Sequence, residues 1–297
     1  MEVANLRSEA AMGENSPCSS VETQVVRTGM PPWDLRLHEL WRYRYMFLYL
    51  VRRDIVVLYK QTLLGPAWVI LQPFLMSFLF SIIFGRIAGI RTDGIPGFLF
   101  YFGNNVFWAF LSMTYATASG VFVGGKGLMS KVYFPRLIIP LAGLGGSLFK
   151  LSIQFVFLLG LLIYFALKGA EIEIGLQLLW APVVILQISL VALGVGFLFA
   201  WATLKYRDLK VIGNLVIQGW MYLSPVAYPL SEVPPKMIPW IQWNPMTSAL
   251  ELGRHAIFGT AFPSTSLLLI GWGMTVVLFV VGLFSFNVVQ RKFIDVI

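Results

Sequence analysis

By residue type, chemistry in this 297-residue chain could come from two histidines, His38 and His255, one cysteine, Cys18, and one glycine-rich run, Gly124-Gly125-Lys126-Gly127. None forms a working constellation. No nucleophile can be set beside either histidine from spacing, and no carboxylate pair falls inside an apolar run. Glycoside hydrolysis and intramembrane proteolysis therefore find no support. A lone cysteine excludes an internal disulfide and a cysteine-rich metal site. The glycine run lacks the G-x-x-x-x-G-K-[ST] spacing and follows no strand, so it reads as a turn rather than a phosphate cradle. The expectation is no catalytic residue, no metal and no cofactor on this chain. If ATP is used, another chain must bind it.

Composition explains why the chemistry is missing. The chain is 58% hydrophobic and 12% charged, where a soluble domain has about 25% charged residues. So few charges could not cover so much apolar surface in water, whereas a bilayer solvates it directly. The net charge of +8 sits in short loops between apolar runs, a pattern that suits anionic lipid headgroups and membrane topology rather than nucleic acid. Residues 1–30 are polar and lack the apolar core of a signal peptide. Together with the following residues they read as a flexible cytoplasmic tail over 1–34.

A crossing helix needs roughly 20 apolar residues. Six runs qualify, at 63–87, 95–119, 137–167, 176–204, 211–230 and 267–289, and all must be helical to satisfy their backbone groups in lipid. The third is too long for one upright crossing, and Pro140, Gly143, Gly145 and Gly146 predict a bent or interfacial lead-in. The fifth is interrupted at its outer end by Ser224-Pro225 and Pro229. With both termini inside, the cytoplasmic segments hold 14 Lys and Arg against 5 outside, the bias expected of the cytoplasmic side.

Before the first span, Leu37, Leu40, Trp41, Phe47, Leu48, Val51, Ile55 and Leu58 share one helical face, with most charges opposite. Residues 35–62 are therefore expected to form an amphipathic helix in the cytoplasmic interface. The loop Ser130-Lys131-Val132-Tyr133-Phe134-Pro135-Arg136 is short, basic and inward-facing, yet carries two rings. Either a partner surface buries Tyr133 and Phe134 or both rings anchor in the interface. Near the outer side, Asn244 can cap a helix that opens on Pro245 and stops at Gly259. Its length suits a half-membrane re-entrant position. Glu251, Arg254 and His255 fall on one face of it, which reads as an exposed ion pair rather than a gate contact. Lys150, inside the third run, reaches cytoplasmic headgroups if the run enters near Ser147. If the run enters nearer Leu137, Lys150 needs a wet channel or an acidic partner.

Six blocks occur in an order met in one family: residues 59–68, residues 130–136, Lys205-Tyr206-Arg207-Asp208, Ser224-Pro225-Val226-Ala227-Tyr228-Pro229, Asn244-Pro245, and the ending Phe293-Ile294-Asp295-Val296-Ile297. Over residues 35–297 the chain resembles the membrane-spanning permease of ABC-2 type exporters for O-antigen, capsule or teichoic acid polymers. The resemblance implies an all-α, six-span domain over 63–297 with re-entrant helices on the periplasmic side. It implies a homodimer around a channel in the bacterial inner membrane, two copies of a separate ATPase that binds ATP and Mg, and a lipid-linked polysaccharide substrate. Residues 130–136 would match the ATPase-coupling helix, and Trp240, Trp243, Asn244 and Pro245 the outer gate region. Phe74, Phe78, Phe107, Trp108, Tyr115, Trp220, Tyr222 and Tyr228 fall where a polymer would pass, and aromatic faces suit weak contact with sugar C–H groups. Any one of them could instead face lipid or pack between helices. The rivals are an ABC-2 exporter of a drug or other lipid, a membrane enzyme of glycan assembly, and a secondary transporter. The enzyme would need acidic catalytic residues, and the secondary transporter more spans with an intramembrane carboxylate.

Overall fold

Every regular element among the described residues is a helix; the computed structural model describes residues 37–60, 64–124, 134–170, 175–206 and 208–292. The segment expected to be a tail lies outside them, and Leu35–Ile297 forms one compact unit. The stretch before the first span is two helices rather than one, α1 (Leu37–Arg42) and α2 (Arg44–Tyr59), broken at Tyr43. The face of α2 that is covered carries Phe47, Leu50 and Val51, whereas Trp41 and Leu48, expected on the apolar side, are exposed. A neighbouring helix decides this: a Cβ at Gly145 would stand 2.8 Å from Val51 Cγ2, so glycine there admits α2.

Helix α3 (Ala67–Phe80) continues into a π-helical turn, Ser81–Ile87. Next come α4 (Gly97–Ser119), the short α5 (Val121–Gly124) and α6 (Ile138–Leu167). Where a bent or interfacial lead-in is expected, α6 runs as one unbroken helix of 30 residues. Pro140 falls in its first turn, where an N–H has no helical acceptor to lose. The glycines serve contact: a Cβ at Gly143 would meet Thr117 of α4 at 2.7 Å.

A 3-10 turn, Leu176–Trp180, leads into α7 (Ala181–Lys205). Then follow α8 (Leu209–Leu223), α9 (Ile238–Gln242), α10 (Pro245–Phe258) and α11 (Thr265–Lys292). Helix α8 stops at Ser224, before Pro225, and so holds only 15 residues. Among the described residues four segments are long and apolar enough to cross a membrane: Ala67–Ile87, Ile138–Leu167, Leu176–Lys205 and Thr265–Val289.

Helix α4 lies at the centre, in contact with α3, α6, α7, α8 and α10. Sixteen of its 23 residues are buried, which explains a sequence apolar on every side. Helices α7 and α11 touch backbone to backbone, because a Cβ at Gly282 would overlap the carbonyl of Gly194. Small residues at such crossings let dispersion contacts accumulate where lipid removes the hydrophobic drive.

Candidate functional site

At the end of α4 that carries Phe100 and Asn104, the irregular stretch after α8 is bound to α10 by side chains. Proline at 225 and 229 breaks the helix there and leaves carbonyls without helical donors. Side chains supply the donors instead. Arg254 Nη2 donates to the Pro225 carbonyl and, at 3.4 Å, to that of Tyr228. Its Nη1 donates to Glu251 Oε1 at 2.7 Å, and its Nε to Asn104 Oδ1 at 3.5 Å. Its guanidinium lies 4.9 Å from the Phe100 ring centroid. Asn104 also donates through Nδ2 to the Val226 carbonyl at 3.0 Å.

Arg254 is only 3% exposed, so the ion pair expected at the surface is a buried clasp joining α4, α10 and the 224–229 turn. Burying a charge is costly unless its partners satisfy it, and a planar fork of donors suits several carbonyls at once. His255 does not join the clasp; its Nδ1 lies 2.6 Å from the Thr260 carbonyl, with its ring edge-on to Phe262.

Asn244 caps α10 as expected: its Oδ1 accepts from Met246 N at 3.0 Å, Pro245 takes the first position, and Gly259 ends the helix at φ 73°. The same side chain accepts from Trp220 Nε1 at 3.2 Å and donates to Ser224 Oγ at 2.8 Å. From the bundle, Gln187 Nε2 donates to Ser248 Oγ at 2.7 Å and approaches the Pro245 carbonyl and Thr275 Oγ1, each at 3.4 Å. The start of α10 is thereby held from α7, α8 and α11. Spacing does not reveal the partners of Asn104, Gln187 or Arg254; for Asn104 and Gln187 the available signal is a polar side chain within an apolar run, which needs an internal partner. Trp240 and Trp243 of the expected outer gate are exposed, while Pro245 is buried.

The aromatic residues divide by position. Phe107, Trp108 and Tyr115 are buried inside the chain, Trp108 edge-on to Trp220 at 6.0 Å. Phe74 packs edge-on to Phe98 at 5.1 Å and to Phe157 at 6.4 Å. These rings build the bundle. Of the eight, Phe78 and Tyr222 are exposed, and Tyr228 is half-buried with its hydroxyl 3.4 Å from the Tyr222 carbonyl.

Of the expected coupling segment, Ser130, Lys131, Val132 and Tyr133 lie outside the described residues. Phe134 is 5% exposed and packs with Leu50, Ile138 and Ala142. The burial expected from a partner is supplied for this ring by α2 and α6. Pro135 and Arg136 are half-buried. Lys150 interacts electrostatically with Asp54 of α2.

Residues 45–258 match the family model described as ABC-2 type transporter. The chain is 24% identical over 254 residues to an O-antigen export system permease protein RfbA of Klebsiella pneumoniae, covering 85% of this chain and 95% of that one. Against the protein of the same description in Myxococcus xanthus it is 26% identical over 225 residues, covering 75% and 83%. The Polysialic acid transport protein KpsM of Escherichia coli is 25% identical over 209 residues, covering 69% and 78%.

Proposed function

This chain belongs to the ABC-2 type transporter family, and we propose that it is the channel-forming permease of an ATP-driven exporter of lipid-linked polysaccharide. The observation that carries this reading is the breadth of its likeness to O-antigen export permeases, which reaches 95% of the length of one of them. A drug exporter of the same family would share the fold without that likeness.

In this reading six helices cross the inner membrane, with α4 and α8 joining the four long apolar segments, and both termini lie inside. The placement of loops supports the parity. Ser231 Oγ donates to Asp93 Oδ1 at 2.8 Å, so the segments before α4 and after α8 share a side. Thr203 Oγ1 donates to the Ser119 carbonyl at 3.0 Å, which puts the far ends of α4 and α7 together on the other. Helices α9 and α10 are the re-entrant pair on the periplasmic side, and the Arg254 clasp holds α10 and the 224–229 turn against α4. Helices α1 and α2 lie in the cytoplasmic interface.

Two copies enclose the channel, and two ATPase subunits dock on the cytoplasmic side through residues 130–136, bringing ATP and Mg. Exposed apolar residues on α3 and α8, among them Leu75, Phe78, Leu215 and Tyr222, support faces turned to lipid or to a second copy. Phe78 and Tyr222 are the rings available to a passing polymer.

Deleting the gene and following the polymer is the direct test. Lipid-linked polysaccharide should build up inside the cell, return to the surface on complementation, and the tagged chain should co-purify with an ATPase. Normal surface polymer in the deletion strain would exclude this substrate class.

A further inference from the structure

At the opposite end of α4 from the Arg254 clasp, a cavity of about 320 Å³ opens between α2, α4, α5, α6 and α8. Its walls are of two kinds. Leu50, Ile139 and Ala142 are apolar, whereas Arg53, Asp54 and Lys210 bring charge to the same space.

That charge does not balance. Arg53 holds Asp54 through hydrogen bonds of 3.0 and 2.8 Å. Lys150, on α6, interacts electrostatically with the same carboxylate. Lys210 faces them from α8, its ammonium 3.9 Å from where a Cβ on Gly120 would stand, with no carboxylate partner among the described residues. Two cations, Arg53 and Lys210, line the cavity with one carboxylate, Asp54, which Arg53 already occupies, so the cavity favours an anion.

The apolar wall narrows the choice. A small water-soluble anion would use the cations and gain nothing from Leu50, Ile139 and Ala142. A phosphate carried on a lipid uses both, its oxygens on the cations and its first tail carbons on the apolar side. Basic pockets between helix ends on the cytoplasmic side bind lipid headgroups for this reason. We propose that this cavity is a binding site for lipid-borne phosphate, with Lys210 and Arg53 contacting the phosphate oxygens. Two lipids carry that chemistry, an anionic phospholipid of the leaflet and the phosphate-linked carrier of an exported polymer. The second rests on the function proposed above.

Native mass spectrometry of the purified transporter with its ATPase tests the site. The complex is titrated with phosphatidylglycerol, net-neutral phosphatidylcholine, or a polyprenyl diphosphate. At least one anionic lipid should bind more tightly than phosphatidylcholine. Lys210→Ala should weaken that binding about fivefold and Lys210→Glu about 25-fold, as one or two unit charges at a membrane surface require. Lys236→Glu, an exposed lysine elsewhere, should leave it unchanged. Displacement of phosphatidylglycerol by polyprenyl diphosphate assigns the site to the carrier; charge-dependent phosphatidylglycerol binding without displacement assigns it to the leaflet. Wild-type affinity in Lys210→Glu for both anionic lipids, or no preference over phosphatidylcholine, overturns the proposal. Binding is read without transport, so failure here leaves the exporter reading to its own test.

Discussion

The side-chain amide of Gln154 donates to the carbonyl of Val69 at 2.8 Å, an acceptor whose helical donor would have come from Pro73, four residues on. Proline lacks that N–H. In hydrocarbon no water can take its place, so α6 lends a side chain to complete α3. The same stretch is tied a second time, since Ser77 Oγ donates to the Pro73 carbonyl at 2.6 Å and accepts from Asn105 Nδ2 at 3.1 Å.

Gln154→Leu should therefore destabilise the chain by about 1–3 kcal/mol, the cost of a buried acceptor left unpaired. In a Pro73→Ala background the restored N–H satisfies Val69, and the same substitution should cost much less. Thermal unfolding of the four purified variants in detergent gives the coupling. An equal cost in both backgrounds would show that the amide does not answer to the proline.

Arg254 and Glu251 are expected to act as a unit. Removing either charge alone leaves its partner poorly satisfied, at a cost of about 3 kcal/mol or more for a buried pair. The double variant Glu251→Leu, Arg254→Leu should cost less than the sum of the single ones. Arg254→Lys should behave like a loss, because a compact ammonium cannot reach both turn carbonyls and the carboxylate. Additive costs in the cycle would remove the pair from the clasp.

Phe134 and Tyr133 should separate by readout. Phe134→Ala opens a space between α2 and α6 and should lower stability by about 3 kcal/mol. Tyr133→Ala is expected to leave folding intact and weaken ATPase co-purification, as loss of a partner-facing ring does. Stoichiometric ATPase recovery with Tyr133→Ala would assign that ring to the membrane interface.

For export, the exposed rings should matter by their faces and the buried rings by their packing. Phe78→Leu with Tyr222→Leu should slow polymer export at normal protein level, since leucine lacks the flat polarised face. Phe74→Leu and Trp220→Leu should instead lower the amount of folded protein, the latter by also freeing Asn244. Full export by the Phe78, Tyr222 double variant would place those rings against lipid.

The sequence by itself determined what depends on composition and local geometry. Apolar runs dictate helices, since hydrocarbon offers backbone groups no other partner. Asn244, Pro245 and Gly259 mark α10 because capping and left-handed backbone are properties of a few adjacent residues. The Ser224-Pro225 interruption does end α8. Long-range contact decided the rest. Arg254 becomes a buried clasp only because the bend after α8 returns to α4. Gly143 and Gly145 look like bend points in sequence, yet they are contact surfaces once α4 and α2 are beside them. The rings at 74, 107, 108 and 115 are chemically no different from Phe78 and Tyr222. Which of them meets a neighbour and which stays open is set by helix rotation about the bundle, and no local pattern encodes that rotation when a run is apolar on every side.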